Sequence, residues 1–355
     1  MQNTAKAGAA LVISQVYKFR SIHNNFVKNK AAIAGAGINI DHFTSIDIVH
    51  CRFVHNEKET VHLEQGVSGT SKMSFNNKYL SYPKTDRVVF HKSHFINNTG
   101  QNTGAIRIAF GKFLLIQLCY GYNNHAIYHG GVFHGEDVQK VIIQRSIFTM
   151  NQAGSGGCLA IKSPIYVTIT GSKFFHNIAF QQGGSLYIES VKHKTSSITL
   201  SFNAFVIADH ESNEMGEKGI AISVQNIETL LIRYVNCHTI LKKSTSMETV
   251  FEVNVDILEI SFVKMTSMVS IAYHLEAFVN KFAEFLHILF KCPLDTYMDK
   301  AHSFVSILHQ FHIYYKCTRC AHKFYTLASS KYSVTHWKIQ GQETDVAENK
   351  CHQCP

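Results

Sequence analysis

FTMNQAGSGGCLAI, residues 148–161, is the stretch whose reading decides the fold, because close copies of it stand at 26–40 (FVKNKAAIAGAGINI) and 174–188 (FFHNIAFQQGGSLYI). Aligned on the leading aromatic, the copies begin at Phe26, Phe53, Phe95, Tyr122, Phe148 and Phe174, at intervals of 27, 42, 27, 26 and 26 residues. A near-constant period of this length marks one supersecondary unit stacked on itself. Asn29, Asn56, Asn98, Asn151 and Asn177 each follow an aromatic by three residues. A glycine-rich step comes next, as in Gly35-Ala36-Gly37, Gly104, Gly130-Gly131, Gly156-Gly157 and Gly183-Gly184. It leads into alternating apolar runs such as Ala105-Ile106-Arg107-Ile108 and Leu186-Tyr187-Ile188, and period-two apolarity is a strand signal. A second short strand precedes each aromatic, as in Ile46-Asp47-Ile48 and Val141-Ile142-Ile143.

Two strands per copy at so short a period leave no room for a crossover helix, which needs about a dozen residues of its own. The economical solution is a parallel β-helix with one coil per copy, in which the aromatics and alternating apolar residues point inward. Each strand then bonds to its counterpart one coil away. Asparagine tolerates the left-handed backbone region, and its amide can bond to the same amide in the next coil. Asn29, Asn56, Asn98, Asn151 and Asn177 are therefore expected to form a structural turn ladder. Glycine at a fixed phase implies a tight turn with positive φ.

The first residues reproduce the second half of a copy, with Leu11-Val12-Ile13 as the strand. The chain begins inside a coil, and the expectation is a segment of a longer protein, with Met1 not settled as the true start and no signal sequence to read. The solenoid is expected over 1–275, with clear repeats over 1–225 and degenerate coils over 226–275. Residues 276–316 form a connecting segment. Within it, EAFVNKFAEFLHILF at 276–290 suits a short amphipathic helix about as well as a strand. Residues 317–355 form a cysteine-rich segment, expected to be cut short.

Four prolines and 17% charged residues argue against disorder. No apolar stretch reaches the roughly 20 residues needed to span a bilayer, so no membrane span is expected here, although the full-length protein could be anchored. The formal charge of +9 favours anionic partners, but lysine and arginine are scattered. Nucleic-acid binding lacks a helix-turn-helix, a finger or an aromatic-basic platform.

Cys317-Thr318-Arg319-Cys320 and Cys351-His352-Gln353-Cys354 bracket 30 residues. Two such pairs can hold a tetrahedral zinc through Cys317, Cys320, Cys351 and Cys354. Disulfides are the rival and the preferred reading, with Cys292 joining those four and the connectivity open. Cys51, Cys119, Cys158 and Cys237 fall along the solenoid and are expected to be small buried residues. The histidine groups His50, His55, His62 and His125, His129, His134 are expected at surfaces and turns. Close sequence spacing does not bring side chains together on a strand. Asn97 heads the sequon Asn97-Asn98-Thr99 and is a glycosylation candidate if the protein is secreted. Asp47, Asp86, Asp137 and Asp209 share no coil position. Glu136-Asp137 beside His134 is read as a solvated loop. No catalytic residue and no cofactor is assigned.

The pattern F-x-x-N-x-A followed by G-G-x-[AIL]-x-I, as in Phe148 to Ile161, resembles the repeat of polymorphic outer-membrane proteins and related right-handed β-helix ectodomains, over about residues 1–225. Eukaryotic relatives of that type often carry cysteine-rich segments of the form C-x-x-C-x-x-G-x-Y, to which Cys317, Cys320 and Tyr325 correspond, with Lys323 where the glycine stands. The resemblance implies an all-β, right-handed, pectin-lyase-like solenoid with a small cysteine-rich C-terminal segment. It further implies an extracellular or cell-surface protein of adhesive use that binds protein or glycan on a solenoid face and is not an enzyme. The alternative is a carbohydrate-active β-helix enzyme, a polysaccharide lyase or glycoside hydrolase.

Overall fold

The computed structural model describes residues 4–5, 10–32, 35–58, 60–64, 87–190, 196–208, 221–240, 249–267, 272–291, 296–305, 310–319, 324–325, 331–334 and 352–353; beyond Val263 it describes the backbone. These residues form an all-β parallel solenoid of about seven turns, with no helix among them.

Each full coil has three principal strands. The first follows the glycine step and stacks Ile38, Val61, Ile106, Phe133, Leu159, Leu186, Ile222 and Phe251 over one another. The second stacks Ile46, Val88, Leu114, Val141, Val167, Ile198, Leu230 and Leu258. The third carries the aromatics, with Phe26, Phe53, Phe95, Gly121, Phe148, Phe174, Phe205 and Cys237 in register. A short fourth strand runs through Thr99, His125, Gln152 and Ile178. Parallel strands lie about 4.8 Å apart, so like residues meet at stacking distance. Phe53 and Phe95 have ring centroids 5.1 Å apart, and Phe174 and Phe205 4.8 Å. Each buried ring contributes on the order of 2 kcal/mol of transfer free energy.

Tyr122 does not lead its coil. Gly121 holds the aromatic's place, while Tyr122 lies beside Ile96 and Thr149. The space is taken by Val132, which precedes the first-strand residue Phe133 where other coils have the smaller Ala105, Cys158, Ser185 and Ala221. A Cβ on Gly121 would stand 2.7 Å from Val132 Cγ2. The 42-residue interval also has a local cause. Residues 65–86 separate the first strand from the second in that coil, whereas three residues, such as 137–139, suffice elsewhere.

None of the ladder asparagines has positive φ. The residue just before each one turns the chain: Lys28, His55, Asn97, Asn123, Met150 and His176 have φ between 50° and 55°. Gly130, Gly156 and Gly183 have φ of 54°, 62° and 67°, as expected of the turn. The second glycine of the pair serves a different need. A Cβ on Gly157 would sit 2.2 Å from the Gly184 carbonyl oxygen, so the backbones of successive coils touch there.

Toward the C-terminus, Thr249–Ser267 keeps the parallel register, and Ala272–Lys291 pairs parallel to it. Of the two conformations open for residues 276–290, the strand is the one formed. Gln310–Arg319 then pairs antiparallel to Ala272–Lys291, and Thr296–Val305 antiparallel to Gln310–Arg319. Parallel stacking thus gives way to an antiparallel arrangement.

Candidate functional site

The asparagine ladder is structural, as its chemistry requires. Asn151 Oδ1 accepts from the Asn124 backbone N–H at 3.0 Å and from Asn124 Nδ2 at 2.9 Å. Asn151 Nδ2 donates to Asn177 Oδ1 at 2.9 Å and to the Gly121 carbonyl at 3.1 Å. The same pattern links Asn29, Asn56 and Asn98 to Asn124. Asn124 was missing from the expected set because Gly121 removed the aromatic that would have flagged it. A second ladder runs at the start of the third strand: the Cys51 N–H donates to Ser93 Oγ, Cys119 to Ser146, Ser146 to Ser172, and Ser172 to Asn203 Oδ1. Small polar side chains there satisfy backbone donors that a corner leaves unpaired.

Cys51, Cys119, Cys158 and Cys237 are free and buried, as expected. Burial raises the thiols of Cys119 and Cys237 to about 12 and that of Cys158 upward, so they are unreactive core residues. The disulfide or zinc residues Cys292, Cys320, Cys351 and Cys354 lie outside the described residues, as does the side chain of Cys317, whose backbone pairs with Met298. Asn97 sits on a left-handed corner, half-buried; its Oδ1 accepts from Asn123 Nδ2 at 2.8 Å, and its Nδ2 lies 3.4 Å from His55 Nε2.

Two kinds of outward surface have the makings of a binding site. An open groove of about 550 Å³ runs along the fourth strand, lined by Lys30, Glu57, Lys58, Thr99, His125 and Ile127, with Lys30 paired to Glu57 at 2.8 Å. Elsewhere aromatics stand exposed in rows. Phe202 and Tyr234 stack at 4.8 Å on corners of adjacent coils, 62% and 46% exposed, and His23 stacks on His50 at 4.8 Å.

The outer side of the first strand departs from expectation. Arg107, His134, Ala160, Tyr187, Ser223 and Glu252 form one row across successive coils; Glu64, Ala109, Glu136, Lys162 and Glu189 form the next. Aspartate positions alone conceal that alignment; the residue closing each apolar run carries it. His134 is buried, not part of a solvated loop, and His62 is buried too. The turn at Gly130 brings His129 back over His134, with ring centroids 4.9 Å apart, so five residues of sequence spacing do bring two histidines together here.

Lys162 Nζ lies 3.1 Å from His129 Nε2. An ammonium only donates, so that nitrogen accepts and the His129 proton is on Nδ1. Arg107 Nη2 lies 3.6 Å from Glu136, and the Tyr187 hydroxyl donates to Glu189 at 2.7 Å. Burial, with Lys162 adding to it, lowers His129 to about 4; burial, with His129, Lys162 and Arg107 adding to it, lowers His134 to about 3. Both rings are neutral at neutral pH. Arg107 Nε, His129 Nδ1 and both ring nitrogens of His134 are buried without a protein partner, and an unpaired buried polar group costs about 1–3 kcal/mol.

Compared with protein-family models, curated proteins and solved structures, the chain matches none. No helix among the described residues is long and apolar enough to cross a membrane, and among them no group of three or more histidines, cysteines or acids is placed to hold a metal.

Proposed function

We propose that this chain is a non-catalytic segment of a secreted or cell-surface ectodomain, whose solenoid faces bind protein or glycan. The observation that carries this is the pair of exposed stacked rings Phe202 and Tyr234. A β-solenoid repeats side chains at strand spacing, so an aromatic row forms a flat platform suited to the apolar face of a sugar or to a partner's side chains. The likeness of the repeat to outer-membrane and ectodomain β-helices supports the same assignment, as does a charge of +9, which attracts anionic partners.

A glycan array probed with the purified chain tests this. Binding that is lost on Phe202→Ser with Tyr234→Ser supports it; an array left blank, together with release of reducing ends from any polysaccharide, overturns it. Release of reducing ends favours the second reading, a carbohydrate-active enzyme, for which Glu136 and Glu189 are the relevant carboxylates. They share one row two coils apart, about 10 Å, with Lys162 between them. Extracellular placement has its own check: expression through a eukaryotic secretory pathway should add a glycan at Asn97, read as a mass shift of the peptide that contains it.

A further inference from the structure

We propose that the outer face of the first strand at Arg107 and His134 is an oxyanion site, and that it takes the carboxylate or sulfate group of an acidic glycan between Arg107, His129, His134 and Lys162. The glycan part rests on the binding function above; the anion site does not. His134 is 4% exposed, and neither of its ring nitrogens has a protein partner. Arg107 Nε and the protonated His129 Nδ1 are buried donors in the same condition. The His129 and His134 rings lie 4.9 Å apart and Arg107 is in register with His134 on the adjacent coil, so three unpartnered donors share one region of this face, and a carboxylate or sulfate supplies several lone pairs to accept from them. Arg107 is 22% exposed, so the site has a mouth. At position 160 of the row an alanine separates His134 from Tyr187, where a longer side chain would reach over the floor.

The carboxylates facing the site are already engaged, Glu136 with Arg107 and Glu189 with the Tyr187 hydroxyl. With both imidazoles neutral, two cations and two carboxylates balance. An arriving anion adds one negative charge, which favours uptake of a proton by His129 or His134, so affinity should rise as pH falls. Tyr128, 54% exposed and adjacent to His129 in sequence, offers a ring face for the sugar that carries the acid.

NMR of the whole chain labelled in its histidine rings, titrated with sulfate, acetate and glucuronate, reads the site directly. The expected result is a saturable shift of both His129 and His134 by at least one of these anions, tighter at about pH 5.5 than at about pH 7.5. Lys162→Gln, at a partly exposed position, should weaken that binding about tenfold, the loss of one charge-assisted hydrogen bond. Response to glucuronate and acetate identifies a uronate ligand; response to sulfate, a sulfated one. Rings that stay unmoved, or that move equally in the Lys162→Gln chain, overturn the site. If the anions bind but the array is blank, the adhesive function fails and the site stands; if the array lights only with neutral glycans while the rings are silent, the reverse holds.

Discussion

Asn151 uses its whole amide: two acceptor bonds and two donor bonds, all to neighbouring coils. Asn151→Ala would strand the Asn124 backbone N–H, take a donor from the Gly121 carbonyl, and halve the bonding of the Asn124 amide and of Asn177 Oδ1, which keep the Phe95 carbonyl and the residue-151 backbone N–H. The expected loss is about 2–3 kcal/mol in urea unfolding, against about 0.5 kcal/mol or less for Lys173→Ala at an exposed position of the third strand. Equal losses would show that the ladder does not hold the coils together. His134 makes a pH prediction. Its folded pKa, about 3, lies below the ordinary 6.5, so the unfolded chain binds the proton first. Stability is complete above about pH 6.5 and falls as pH drops toward 3. Between about pH 7 and 4.5 the loss from this residue is on the order of 2–3 kcal/mol, and His134→Gln should flatten the slope of unfolding free energy against pH by that amount. At this scale the sequence was legible where one residue type recurs at one phase, as with Asn29 through Asn177. It was opaque at Asn124 and His134, whose roles depend on Gly121 and Gly130 nearby.

The strands and their phase were readable because alternation and period are properties of the chain itself, but packing within a rung is an exchange between two positions that periodicity treats as separate. Gly121 and Val132 show it. One coil trades the aromatic for glycine and the small neighbour for valine, which fills part of the space a ring would take and breaks the pattern. Gly121→Phe alone should be strongly destabilising, by about 3 kcal/mol, because the ring meets Val132 Cγ2 and Phe148 Cδ1. Val132→Ala alone should cost about 1–2 kcal/mol for the cavity it opens. Together they rebuild the pair found in the coil of Phe95 and Ala105. The double variant should recover most of the loss, with a coupling energy of at least 1 kcal/mol in a double-mutant cycle. Additive losses would mean that the two sites do not share one volume. The same coupling explains why Tyr122 drew the alignment: it is the nearest aromatic to a phase that has none.

Over the whole molecule, register is set coil by coil, since nearly every strand is paired on both sides to its counterparts. Val61 sits between Ile38 and Ile106, and Val88 between Ile46 and Leu114. Both strands of that coil are in step with their neighbours although residues 65–86 part them, so the 42-residue interval changes the length of a connection and not the stacking. That is why a period interrupted in sequence is uninterrupted in space. Replacing 65–86 by the three residues Asp137-Val138-Gln139, which join the same two strands two coils later, should therefore leave the solenoid folded. Closing a loop of three residues instead of 22 removes nearly three doublings of length, a gain of about 1–2 kcal/mol if the segment makes no stabilising contacts of its own. The expected result is an unchanged strand spectrum in circular dichroism and an unfolding midpoint equal to or above that of the intact chain. A large drop in midpoint would show that 65–86 covers part of the core, and loss of the cooperative transition would show that successive coils do not hold their register independently.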